Sequence, residues 1–271
     1  MRSFGRAVRS TLLIVFALPV AAKALLWTLE ERPRNWWDAR WTSAGILPAP
    51  ADDPEPRVYV FAARTGGWRA IFAVHTWIVV KPAGAHAYTR YDVTGFGPRP
   101  IRINGYVPDS YWIGNRPALV ASIGGARAAD AIPQIERAIA DYAFAQEGAY
   151  RLWPGPNSNT FVATVLRAVP ELDVAMPPEA IGKDFRRDGV RFGVTENGTG
   201  IEMSLYGLFG LKIGRVEGIE VNFLTLVAGF DVRRPALKLP AFGRIGFDLL
   251  QSPSAAASAS APPRPAPVPM H

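Results

Sequence analysis

The sequence predicts an α+β fold, an antiparallel sheet carrying packed helices, and three observations carry that prediction. Residues 57–63 (RVYVFAA) and 71–81 (IFAVHTWIVVK) are rich in β-branched and aromatic side chains. Pro82-Ala83-Gly84 separates the second run from an alternating one at 86–93 (HAYTRYDV), which makes a hairpin. Two helical segments follow, near 133 and 158. Beyond Asp184 the chain returns to strand-like runs, with GVRFGVT and GIEMSLYG flanking the hairpin turn Asn197-Gly198.

Taken in order, residues 1–29 form a signal anchor or signal peptide. Arg2, Arg6 and Arg9 precede the apolar stretch STLLIVFALPVAAKALLWTL (10–29), a positively charged flank before a hydrophobic segment. The purely apolar part, 11–22, is short of the ~20 residues that span a bilayer. Counting Lys23, whose stem snorkels, brings it to length, and Trp36, Trp37 and Trp41 just beyond suit an interfacial belt. Val20-Ala21-Ala22 equally matches a small-residue cleavage site, so either an inner-membrane protein with its main domain on the periplasmic side or a secreted, periplasmic one is expected.

Residues 30–56 form a membrane-proximal segment ending in the proline-rich linker APADDPEP, and the α+β domain occupies 57–250. Within it the Gly/Pro-rich stretch 95–117 reads as irregular. A helix is expected from Ile132 or Pro133 to about Gln146, with Pro133 in its first turn and Ile135, Ala138, Ile139 and Tyr142 as its apolar stripe. A second helix opens at Ser158 and ends before Pro170, and 218–232 is a further strand. The tail 251–271 is low-complexity and expected to be disordered.

Composition narrows the chemistry. The formal charge of +7 is spread along 271 residues with no basic block, which favours an anionic lipid surface over nucleic acid. Cysteine is absent and only three histidines are present, without HExxH-like spacing, so neither a metal nor a cofactor is expected. Arg233, Arg234, Lys238 and Arg244 make a basic group suited to lipid head groups or to a solvated face.

The candidate site is built from the first hairpin and the helix at 158. Alternation puts Phe72, Val74, Thr76, Ile78 and Val80 on a core face, and His75, Trp77, Val79 and Lys81 on a more polar, reachable one. A turn centred between Ala83 and Gly84 sets Asp92 directly across from His75 and Arg90 across from Trp77, close enough for the carboxylate to orient the imidazole, whereas a turn changed by one residue sets Tyr91 there instead. Ser158, at a helix N-terminus, either caps the helix or is a nucleophile whose oxyanion the nearby backbone N–H groups would hold. In the second case His75 Nε2 takes the serine proton, Asp92 orients the ring, and Asn157, Asn159, Trp77 and Trp153 contact the substrate.

HTWIVVK (75–81) followed by a helix and NSNTFV (157–162) resembles the circularly permuted papain-like group, which includes lecithin–retinol acyltransferase-like and peptidoglycan peptidase-like proteins. These carry a histidine on an early strand and, much later, an Asn-Cys-x-x-Phe motif opening a helix. Here Ser158 stands where the group has cysteine, so a thiolate–imidazolium pair cannot be transferred. The resemblance implies a permuted papain-like core, acyl transfer or hydrolysis on a peptide, peptidoglycan-derived or lipid-linked amide or ester, and His86 as an alternative third member. It is equally compatible with a non-catalytic membrane-associated binder that keeps the fold. YTRYDV, WPGPNSNTF, AIGKDF, GIEVN and PALKLPAFGRIG are similar to an uncharacterised bacterial family, domain of unknown function 3750, over most of 57–247.

Overall fold

The computed structural model describes residues 2–33, 35–97 and 99–246. The expected disordered tail lies outside the described residues.

The N-terminal segment is helical: α1 (Arg2–Leu12) continues through a π-turn at Leu13–Ala17 into α2 (Leu18–Thr28). From Phe4 to Thr28 this helix is long and apolar enough to cross a membrane, and almost none of it is buried in the rest of the protein. Phe16, the exception, packs on the ring of Phe223 with centroids 5.4 Å apart.

The first layer is a five-stranded antiparallel sheet. Strands β1 (Arg57–Arg64), β2 (Val74–Lys81), β3 (Thr89–Val93), β4 (Ile101–Ile103) and β5 (Ala118–Gly124) stand in the order β4-β3-β2-β1-β5. Helices α3 (Gly125–Ala140) and α4 (Ser158–Ala168) cover one face, closing a core of Val58, Val60, Ile78 and Val80 against Ile135, Phe161 and Leu166. The other face is not solvated as expected. Trp41, Ile46, Tyr106 and Trp112 fold over it and bury Tyr59, Phe61, Trp77 and Val79, so every residue of β2 is buried. A sheet packed on both faces carries apolar residues on both, which is why the side of His75, Trp77 and Val79, expected to be polar and reachable, is buried instead.

Several boundaries differ from expectation. The β2–β3 register pairs Ile78 with Tyr91 and Val79 with Arg90. Continued by one pair, this sets Asp92 beside Trp77, with His75 two positions further along the same face. The expected register is thus displaced by two residues, and a shift of two preserves the face. Helix α3 starts at Gly125, about two turns early, because Ala128, Ala131 and Ile132 extend its buried stripe backwards. Pro133 therefore lies inside the helix. It is exposed, as is Ala129, whose carbonyl it leaves unbonded, so water can satisfy that group. The stretch 95–117 contains β4, and 218–232 is two strands, broken at Leu224 and Thr225, both with positive φ.

The second layer is a seven-stranded antiparallel meander. It comprises β6 (Val190–Val194), β7 (Gly200–Leu205), β8 (Phe209–Gly214), β9 (Gly218–Phe223), β10 (Leu226–Asp231), β11 (Ala236–Leu239) and β12 (Gly243–Gly246), neighbours in sequence being neighbours in the sheet. Its inward face is charged. Glu202, Lys212, Glu220 and Lys238 are buried and interlock with Lys183, Asp184, Arg186 and Glu196. Lys238 donates to Glu220 and to the Glu217 carbonyl, so it is not on a lipid-facing basic surface, and Arg244 turns inward to Asp231.

Candidate functional site

The loop before α4 answers the question of the cap. Asn157, not Ser158, is the N-cap residue: its Oδ1 accepts hydrogen bonds from the Asn159 and Thr160 N–H groups at 2.9 and 3.2 Å. Thr160 Oγ1 accepts in return from the Asn157 N–H, completing a capping box. Asn157 Nδ2 donates to the Leu152 and Ile181 carbonyls. Asn159 is tied as firmly, accepting from Thr76 Oγ1 and donating to the Val74 and Ile181 carbonyls. Both asparagines border the site, but their hydrogen bonds hold α4 on β2 rather than waiting for a ligand.

That leaves Ser158 with nothing structural to do. It occupies the first helical position, and among the described residues neither its hydroxyl nor its N–H has a hydrogen-bond partner. Ser158 lines a cavity of about 1020 Å³ together with His75, Trp112 and Trp153. The cavity is also bordered by Lys23, Trp27 and Glu30 at the C-terminal end of the apolar helix, so it opens beside that helix. Trp153 is half exposed at its wall and donates its indole N–H to Thr225 in the β9–β10 turn.

His75 is buried, and its ring stacks on Trp112 with centroids 3.8 Å apart and planes 7° from parallel. Its Nε2 faces Asp92 Oδ2 at 3.4 Å. The expectation that Nε2 faces Ser158 is therefore corrected: Nε2 belongs to Asp92, and Nδ1 is the nitrogen without a hydrogen bond among the described residues. No hydrogen bond joins His75 to Ser158 among the described residues. Burial pushes the His75 pKa below its ordinary value, against the opposing pull of Asp92, so the ring is neutral at neutral pH.

Asp92 is shared. Arg90 Nη2 and Nε reach the same Oδ2 at 2.7 and 3.2 Å, while Oδ1 is buried with no partner. Burial works to raise the Asp92 pKa, but the His75 hydrogen bond and the Arg90 charge outweigh it and hold the carboxyl below the usual range. Arg90 is itself fully buried, its guanidinium 4.1 Å from the Trp77 ring centre. The structure thus gathers His75, Asp92, Ser158, Asn157, Asn159 and Trp153 in and around one cavity. Two expected residues stand apart: Trp77 is wholly buried beneath the hairpin, donating to the Pro108 carbonyl, and His86 is exposed in the β2–β3 connection.

Trp112 was not expected here, and Arg90, expected across from Trp77, stands across from Val79 and holds Asp92. Arg90 was legible, since it is two residues from Asp92 and therefore on its face. Trp112 lies in the Gly/Pro-rich stretch, where no periodicity says what a side chain meets.

The fold and site define an α+β protein in which a buried histidine–carboxylate pair and an unbonded serine border one cavity beside an apolar helix. Residues 55–185 match the family described as Protein of unknown function (DUF3750). The match covers the first sheet with α3 and α4, most of the expected 57–247, and ends before the seven-stranded sheet. Neither curated proteins nor solved structures give a match.

Proposed function

We propose that this protein is a membrane-anchored acyl hydrolase or acyltransferase in which Ser158 attacks an amide or ester carbonyl and His75 takes its proton. The observation that carries this reading is that Ser158, free of any capping duty at the start of α4, shares a cavity with the neutral imidazole of His75. Asp92 accepts from Nε2 and so selects the tautomer whose lone pair is on Nδ1, which makes Nδ1 the base. Ser158 Oγ forms the new bond to the acyl carbon, its proton goes to Nδ1, and His75 returns that proton to the departing amine or alkoxide. Because Asn157 occupies the Asn159 and Thr160 N–H groups, the Ser158 N–H is the first-turn donor left to meet the oxyanion. The acyl group then passes to water or to an acceptor hydroxyl.

The early-strand histidine and the later Asn-Ser-Asn-Thr-Phe helix start support a permuted papain-like core with serine in place of cysteine. Placement of the cavity beside Lys23, Trp27 and Glu30 favours a substrate presented at a membrane surface, such as a lipid-linked or peptidoglycan-derived peptide. The arginines before the helix favour a single-pass bacterial inner-membrane protein with its main domain on the periplasmic side, or a periplasmic one after cleavage.

Fluorophosphonate labelling of the full chain in detergent tests the reading. The wild type is expected to label, and Ser158→Ala and His75→Ala are expected not to; labelling that survives both substitutions removes the enzymatic reading. A second reading, a non-catalytic binder using the same cavity, is favoured by one observation, the missing hydrogen bond between His75 and Ser158 among the described residues. It predicts no labelling of any form.

A further inference from the structure

The seven-stranded sheet is inside out for a protein in water. Along β7 the buried residues are Glu202 and Ser204, and the exposed ones are Ile201, Met203 and Leu205; along β8 Lys212 is buried while Phe209, Leu211 and Ile213 are exposed. The same inversion holds in β9, where Glu220 and Asn222 face inward and Ile219 and Val221 outward. In β6 Phe192 is 79 % exposed. Antiparallel sheets with one wet face put the polar side chains on it, and extended exposed apolar surface marks a contact site.

We infer that the outer face of this sheet packs against the acyl chains of the membrane, beside the N-terminal helix. The inference rests on reading the Phe4–Thr28 helix as a membrane span. That helix touches the sheet where Phe16, near its midpoint, meets Phe223, so the medium that surrounds the helix also bathes the adjoining sheet face.

The two ends of the sheet agree with this placement. The turns near Phe223 carry Tyr206, Leu208, Leu224 and Phe242 and no charged residue between 205 and 209, 223 and 226 or 239 and 243. The opposite turns expose Arg215, Arg233 and Arg234 while their acids Glu196 and Glu217 are buried, which leaves a basic rim suited to anionic head groups. Among the described residues Arg215 and Arg233 share Asp173 as their acidic partner.

The absence of cysteine makes the test direct, because each introduced cysteine is unique. The full chain is reconstituted in vesicles of phosphatidylethanolamine and phosphatidylglycerol. Spin labels are placed one at a time at Phe192→Cys, Met203→Cys, Leu211→Cys and Val221→Cys on the face, Leu18→Cys on the helix, and Glu136→Cys on α3 as the aqueous reference. Collision with oxygen, which enters lipid, is compared with collision with a charged nickel chelate, which does not. A several-fold higher oxygen-to-nickel ratio at the four face positions than at Glu136→Cys is the expected result. Face labels as open to nickel as the reference overturn it. Face labels shielded from both reagents also overturn it, in favour of a second copy or another protein covering the sheet. The Leu18→Cys label separates the underlying reading: a nickel-accessible helix with lipid-exposed face labels removes the anchor while keeping the sheet in lipid, and nickel access at both removes both.

Discussion

His75 Nε2 lies 3.4 Å from Asp92 Oδ2, the same oxygen that Arg90 holds at 2.7 Å, so one carboxylate oxygen joins an imidazole and a guanidinium inside the protein. This relationship fixes which nitrogen of His75 is left for chemistry, and with it the behaviour of the site with pH.

Because burial holds the His75 pKa below its ordinary 6.5, the ring stays neutral until the pH falls under that value. The sign for stability follows: below about pH 6.5 the unfolded chain takes the proton first, so folding stability drops as pH falls toward the native pKa. Labelling of Ser158 is expected to fall on the acid side of pH 6.5, not at it. Trp112→Ala opens the stacked ring to water and is expected to move the pKa upward, read from the imidazole proton shifts, with His75→Gln identifying the resonance.

Arg90→Met leaves Asp92 buried with His75 as its one remaining partner among the described residues. Breaking a buried pair in this way costs about 3–5 kcal/mol, measured as the shift in denaturant midpoint. The same variant is expected to raise the His75 pKa, since the carboxylate then turns its whole charge to the imidazole; an unchanged titration would show that Asp92 does not govern the ring.

Asn157→Ala and Ser158→Ala are expected to separate. The first removes a capping box and two buried side-chain donors, for a loss of about 2–4 kcal/mol. The second removes a hydroxyl that bonds nothing among the described residues and is expected to change stability by less than about 0.5 kcal/mol. Equal losses in thermal unfolding would return Ser158 to a structural role.

Lys212 Nζ lies 2.6 Å from Asp184 and 2.5 Å from Glu196, all three buried. Burial alone would raise both carboxyls, but the Lys183 and Lys212 charges at Asp184 and the Lys212 and Arg167 charges at Glu196 hold them far below their ordinary 3.8 and 4.5. Depressed carboxylates stabilise the fold fully above about pH 4.5 and progressively less as the pH falls toward their native values. Lys212→Met is expected to cost about 3–5 kcal/mol and to start acid unfolding at a higher pH, measured by thermal midpoints across the acid range.

What the sequence by itself determined is what covalent geometry makes local. Two-residue alternation puts Asp92 and Arg90 on one face of β3, and because the error in pairing was two residues, not one, that face stayed with His75 and the contact was kept. The Asn-Ser-Asn-Thr-Phe start of α4 and the apolar N-terminal helix were legible for the same reason, since caps and hydrophobic runs act over a single turn or a continuous stretch. Asn157 as the cap, with Thr160 three residues on, was readable in principle from the capping-box spacing.

Only the tertiary structure decided what each face meets. Trp112 reaches His75 from 37 residues away through a segment with no repeating pattern, and nothing local orders that approach. The alternation of Ile201, Met203 and Leu205 with Glu202 and Ser204 announces two faces, yet the charged one is buried because Lys183, Asp184 and Glu196 arrive from other segments to pair with it. Periodicity separates the sides of a strand; which side leaves water depends on what the rest of the chain, and the medium around it, brings to each.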